Sequence, residues 1–185
     1  MITNIYFVRH ADSVYTLDEL NRPLSNKGFT DVEKVTELLL CENITKIISS
    51  PYKRAIQTVE GTANGFALDI LIEEDFRERK IAEGAVENPQ EVISKYWEDF
   101  DFSILEGESG YLAQDRGVAA LKKVLSKYCG ENIVIGTHGN IMVLMMNYYD
   151  KKFNYDFWRN LKMPDIYKLS FEDEELVDVR RIWTY

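Results

Sequence analysis

The sequence predicts an α/β layered fold: a three-layer α/β/α sandwich around a mostly parallel sheet, closed by a C-terminal hairpin. Three observations predict it. Short β-rich runs alternate with longer helical stretches along most of the chain. The early β-rich runs end in polar loops that lead into helices, the rhythm of parallel βαβ units. The last stretch instead reads as two strands, residues 166–171 and 176–183, joined by an acidic turn at 172–175.

Each element has a local reason. Residues 2–8 alternate, are β-rich and stop at Arg9-His10, so they read as a strand ending in a polar loop. Pro23-Leu24-Ser25 follows, with Ser25 as the N-cap of a helix that closes with Leu38, Leu39 and Leu40 near Cys41. Residues 44–49 form a second short strand. Ser50-Pro51 then starts a helix, with Pro51 at the permissive first position, that runs to about Gly65. Residues 68–72 give a third strand.

Residues 73–110 break this rhythm. They are rich in charge and aromatics and hold Gly84, Pro89, Gly107 and Gly110. Asn88-Pro89-Gln90-Glu91 reads as the capped start of a short helix through Trp97. The stretch is expected to be an excursion or short cap within one domain spanning residues 1–185. The aromatics Tyr96, Trp97, Phe100, Phe102 and Tyr111 suit the packing of that excursion onto the sheet better than a pocket lining. A helix over 112–128 follows, ended by Gly130. Residues 132–136 are a strand, and Gly139 opens a helix reaching about Tyr149.

Composition narrows the function. Hydrophobic residues make up 45% of the 185, enough for an ordinary core. The net charge of −9 argues against a nucleic-acid partner, which demands a basic face. A small anionic substrate would need a local cationic pocket against that background. No run approaches the roughly 18 apolar residues that span a membrane. The N-terminus, MITNIYFVRH, lacks the basic and long apolar regions of a signal peptide. Cys41 and Cys129 lie far apart and suggest neither a disulfide framework nor a metal site. A cytoplasmic protein without metal or cofactor is expected; nothing in the sequence sets its oligomeric state.

The chain has only two histidines. His10 directly follows the first strand, and His138 directly follows the strand at 132–136. In an α/β sheet the strands' carboxyl ends are where ligands bind. A lone histidine is usually a surface or satisfied core residue; two, both at strand ends, point to a site. Arg9 adjoins His10. Arg54 lies in the first turns of a helix after another strand, where free N–H groups and the positive dipole end suit an anion. A guanidinium there suits a bidentate phosphate contact.

Three segments in this order resemble the histidine phosphatase superfamily, the phosphoglycerate-mutase-like fold. They are strand-Arg9-His10, then Ser49-Ser50-Pro51-x-x-Arg54-Ala55-x-x-Thr58, and the late Thr137-His138-Gly139. Pro23-Leu24-Ser25-x-x-Gly28 and Gly107-Glu108-Ser109 fit its supporting pattern. The resemblance covers essentially the whole chain and is closer to the compact phosphatases than to the mutases. It implies a phosphatase acting on a small phosphorylated substrate without a metal, with His10 as nucleophile. Arg9, Arg54, His138 and Gly139 would hold the phosphate. The proton donor implied is a carboxylate soon after the third strand. Phe76-Arg77-Glu78-Arg79 matches best, so Glu78 is the expected acid; Glu73, Glu74 and Glu83 are nearby rivals.

This chain departs from the pattern at three places. Ala11 stands where many relatives have glycine, Thr16 where asparagine is common, and Ala82 where glycine follows the acid. The charged core is untouched. Alternatives to hydrolysis of small monoesters are a mutase-type phosphoryl transfer, a phosphoprotein (phosphohistidine) phosphatase and a non-catalytic binding module. The mutase needs a closed pocket that keeps water from the phosphoenzyme.

Overall fold

The computed structural model describes residues 1–82, 88–104 and 106–184. Six strands form one sheet in the order β3-β2-β4-β1-β5-β6. They are β1 (Ile2–Arg9), β2 (Lys46–Ser49), β3 (Ile70–Ile72), β4 (Asn132–Thr137), β5 (Asp165–Glu172) and β6 (Glu175–Arg181). β1, β2, β3 and β4 pair in parallel. β5 joins β1 antiparallel, and β6 returns beside β5 as a hairpin. The chain crosses the sheet through α1 (Asn26–Leu40), α2 (Lys53–Phe66), α4 (Gly110–Lys127) and α5 (Gly139–Tyr149).

Side-chain alternation along the strands builds the three layers. Ile5 and Phe7 of β1 and Ile133 and Ile135 of β4 point into one core, packed with α4 and α5. Their neighbours Tyr6, Val8 and Val134 point into a second core with Val35 and Leu39 of α1 and Val59 of α2. Burial on both faces explains why the two central strands are almost wholly apolar. In α5 every residue from Gly139 to Asn147 is buried, as an all-round apolar helix must be.

Several expected boundaries move. Pro51 does not open α2: the helix starts at Lys53 with Tyr52 as N-cap. A hydroxyl contact explains it, since Ser50 Oγ accepts from the Tyr52 N–H and turns the chain before the helix begins. β2 and β3 are shorter than their apolar runs suggest, and β6 ends at Arg181 rather than residue 183. α4 begins at Gly110, capped by Ser109, whose side chain accepts from Leu112 N. The expected helix in the excursion is α3 (Pro89–Glu98); Asn88 is its N-cap but makes no side-chain cap bond. A 3₁₀ turn (Glu74–Phe76) and α6 (Tyr155–Asn160) add to the expected elements.

The aromatics of the excursion do pack. Tyr96 is buried, and its hydroxyl donates to Ile81 O. Trp97 and Phe100 lie against the α4–α5 core, and Tyr111 meets Phe100 edge-on.

Ladder bonds continue one residue past the parallel strands. His10 N donates to Thr137 O at 3.0 Å, Ser50 N to Gly136 O at 2.8 Å and Glu73 N to Ser49 O at 2.9 Å. The sheet therefore holds the first loop residue after β1, β2 and β3 in register, all at one edge.

Candidate active site

His10 and His138 come together at that edge, their rings 5.2 Å apart in an edge-to-face arrangement. His10 is nearly enclosed. Its Nδ1–H donates to Ala11 O at 2.7 Å, which leaves Nε2 as the unprotonated nitrogen. Arg54 Nε donates to Nε2 at 3.3 Å. Burial, then the nearby cations Arg54, Arg9 and Arg22, lower its pKa from 6.5 to about 3, against the opposing bond to Ala11. His10 is a neutral imidazole with a lone pair on Nε2 at any pH near 7.

The chain around His10 is clasped. Ala11 N donates to Thr58 Oγ1, and Thr58 Oγ1 donates to Arg54 O. Ser25 Oγ donates to Asp12 Oδ2, and Ser25 N donates to Asp12 O. Gly28 lies so close to this turn that a Cβ would stand 2.1 Å from Asp12 O. The Pro23-to-Gly28 motif thus brings the start of α1 against the loop that carries His10. Ala11 does not take a left-handed backbone, which is why alanine is tolerated there.

Arg54 is buried and held by three contacts. Besides His10, it donates to Glu19 O at 2.8 Å and pairs with Glu19 Oε2 at 3.0 Å. Glu19 also pairs with Arg22 at 3.0 Å. Arg9 donates through Nη1 to Leu161 O and Lys162 O, and its buried Nε has no partner. Burial lowers the pKa of both guanidiniums; Glu78 acts against this in each, with Asp165 at Arg9 and Glu19 at Arg54. Gly139 leaves room for Arg9: a Cβ there would stand 3.0 Å from Arg9 Nε.

His138 is completely buried between Ser50 and Tyr52. Its Nε2 lies 2.8 Å from Ser50 Oγ, its ring meets Tyr52 edge-on at 5.0 Å, and Nδ1 has no hydrogen-bond partner. Burial, then the charges around it, hold its pKa well below 6.5.

The expected acid Glu78 sits against the N-terminus of α5, beside His138. Its Oε1 accepts from Arg79 N at 2.8 Å and Ile141 N at 3.0 Å, and its Oε2 accepts from Asn140 N at 3.2 Å. The free N–H groups of a helix start explain that docking. Two rivals are placed otherwise: Glu73 caps the 3₁₀ turn through Asp75 N, and Glu74 is exposed within it. Glu83 lies outside the described residues.

A clamp holds the segment that carries Glu78. Arg116 of α4 grips Glu108 through two bonds of 2.7 and 2.8 Å and donates to the carbonyls of Asp75, Arg77 and Glu78. Burial alone would raise the Glu108 pKa; Arg116, the Lys80 N–H and Arg77 outweigh it and hold it below 4.5. Among the described residues, no group of three or more His, Cys, Asp or Glu could hold a metal ion, and no helix is long and apolar enough to cross a membrane.

Sequence reasoning missed Glu19, Ser50 and Thr58 as partners of the site, and the Glu108–Arg116 clamp. Ser50 and Thr58 both belong to the motif around Arg54, so spacing held that signal. Glu19 is an exposed loop acid, and nothing in the sequence marks it.

Two strand-end histidines, the buried Arg54 and the half-buried Arg9 stand together at the carboxyl edge of a 3-2-4-1-5-6 sheet. The family model of the histidine phosphatase superfamily (branch 1) matches residues 5–182, and the chain belongs to that superfamily. It is similar to two Arabidopsis thaliana proteins. One is phosphoglycerate mutase-like protein 4, 28% identical over 154 residues, 75% of this chain and 67% of that protein. The other is a metal-independent phosphoserine phosphatase, 26% identical over 157 residues, 76% of this chain and 66% of that protein. The chain thus spans about two thirds of the length of these relatives. Among solved structures, a mycobacterial glucosyl-3-phosphoglycerate phosphatase shares the fold. Its TM-score is 0.78 at 18% identity, covering 98% of this chain and 97% of that one.

Proposed function

We propose that this chain is a metal-independent phosphatase that hydrolyses phosphate monoesters through a phosphohistidine on His10. One observation carries the reading: His10 is neutral, with Nδ1–H tied to Ala11 O and Nε2 turned to the Arg54 guanidinium. A nucleophile needs that unprotonated nitrogen, and the transferring phosphoryl group needs the cation beside it, so the Arg54 N–H moves from Nε2 to the phosphoryl oxygens as substrate enters. Kinship with a metal-independent phosphoserine phosphatase supports hydrolysis.

In the first step Nε2 attacks phosphorus, a P–N bond forms, and the ester oxygen leaves with a proton from Glu78. Oε1 of Glu78 holds two N–H bonds and Oε2 a single longer one, so Oε2 is the less occupied oxygen and the one through which the proton passes in this reading. In the second step the Glu78 carboxylate takes a proton from water as its oxygen attacks phosphorus. The P–N bond breaks, phosphate leaves, and Glu78 is again protonated. Ser50 O–H donating to His138 Nε2 puts a hydrogen on the unpartnered Nδ1, a neutral donor for a phosphoryl oxygen. Arg9 and Arg54 balance the charge on the remaining oxygens.

A screen of phosphate monoesters with excess EDTA tests this reading. Inorganic phosphate released at an undiminished rate is expected. Activity lost with EDTA and restored by one divalent ion would refute the metal-independent mechanism. Conversion of 3-phosphoglycerate to an isomer without phosphate release would replace the phosphatase with a mutase.

A further inference from the structure

A cavity of about 370 Å³ opens beside the proposed catalytic pocket and shares Arg9 with it. It is lined by Ile93 of α3, Tyr155 and Trp158 of α6, and Leu161 and Met163 of the loop that follows. The rings of Tyr155 and Trp158 stack at 5.9 Å with their planes 14° apart. Arg159 also lines the cavity, its guanidinium 5.5 Å from the Tyr155 ring. Among the described residues, no carboxylate lines it. Trp158 Nε1 is buried and has no acceptor.

These features differ from the rest of the molecule. The chain carries a net charge of −9, yet this cavity has two arginines, no acid among the described residues and a stacked aromatic pair. Arg9 is the link: its Nη1 is bonded to Leu161 O, which lines the cavity, while its Nε lies over Gly139 at the phosphate end. Arg9 is thus the side chain common to the cavity and to the proposed phosphate site. The volume is at the small end of ordinary ligand sites.

Resting on the phosphatase reading, we infer that this cavity receives the leaving group of the substrate. The substrate class is a phosphate monoester of an alcohol with a flat apolar body and a second anionic group at its far end. The body lies against Tyr155 and Trp158, and the far anion meets Arg159. Small polar monoesters such as phosphoserine leave that aromatic pair unused.

Non-hydrolysable phosphonates test the cavity without any turnover. Calorimetry compares methylphosphonate, benzylphosphonate and 4-carboxybenzylphosphonate on the full chain. Benzylphosphonate is expected to bind about ten-fold tighter than methylphosphonate, from burial of the ring. The carboxylate adds about five-fold, the upper range for an exposed ion pair. Arg159→Gln, a surface change that leaves the fold alone, brings the carboxyl ratio to about one. Trp158→Leu cuts the ring ratio. Ratios near one in the wild type, or a five-fold carboxyl preference that survives Arg159→Gln, would overturn the inference. Hydrolysis of monoesters with flat phosphonate ratios sinks the cavity alone. The expected ratios with no hydrolysis of any monoester sink the phosphatase reading alone.

Discussion

Removing the Arg116 side chain tests how Glu78 is held. In Arg116→Ala, Glu108 loses a bidentate partner, and the carbonyls of Asp75, Arg77 and Glu78 lose a donor. Breaking a fully buried ion pair costs about 3–5 kcal/mol. Here the side chains are 11% and 18% exposed, and Glu108 keeps the Lys80 N–H and Arg77. The loss should therefore lie near ~3 kcal/mol, or roughly 6–12 °C in Tm for a chain of this size. The segment from Asp75 to Glu78 also loosens, and a shift of about 1 Å at a catalytic group can cost on the order of 10²-fold. We expect kcat to fall ~10–100-fold with little change in KM, more for alkyl than for aryl phosphates. Arg116→Lys keeps the charge without the fork and should recover only part. Urea unfolding followed by steady-state kinetics on both substrate classes measures all of this. A loss below ~1 kcal/mol, or a weakened fold with kcat and its leaving-group dependence unchanged, would refute the clamp.

Two further outcomes are expected. Glu78→Gln should slow hydrolysis of alkyl phosphates by about 10²–10⁴ and of aryl phosphates with acidic phenols far less. Glu73→Gln and Glu74→Gln should stay near wild type; a leaving-group effect at either instead would move the acid. The second outcome concerns pH. The folded-state pKa of His10 lies near 3, below the unfolded value of about 6.5, so its contribution is fully present above pH 6.5 and is lost as pH falls towards 3. His138 has the same sign. Between pH 7 and 5 the wild type should lose roughly 1–2 kcal/mol through His10, and His10→Gln should lose less. A urea midpoint that holds steady or rises over that range would contradict the burial of a neutral His10.

The strands were readable because three of the four parallel strands end in a chemically distinct residue pair. Arg9-His10, Ser49-Ser50 and Thr137-His138 mark the sheet edge even without coordinates. The facing of α4 and α5 was not readable, because α5 is apolar all round and gives no amphipathic stripe. α6 was missed for a similar reason: six residues are too few to show helical periodicity. Its Tyr155 and Trp158 then supplied the stacked aromatic pair, while the aromatics at 96–111 went to packing. The partners of the site were the least legible part. Glu19 reaches Arg54 across 35 positions and Arg116 reaches the Glu78 carbonyl across 38, distances at which only the folded chain brings such groups together.

The central claim is a covalent bond to one nitrogen. Incubation with an activated phosphate ester, a rapid acid-free quench and peptide mapping test it most directly. The account predicts an acid-labile, base-stable phosphoryl group on His10, located at Nε2 and absent from His10→Gln. A phosphoryl group on a serine, aspartate or cysteine, or on His138, would contradict it.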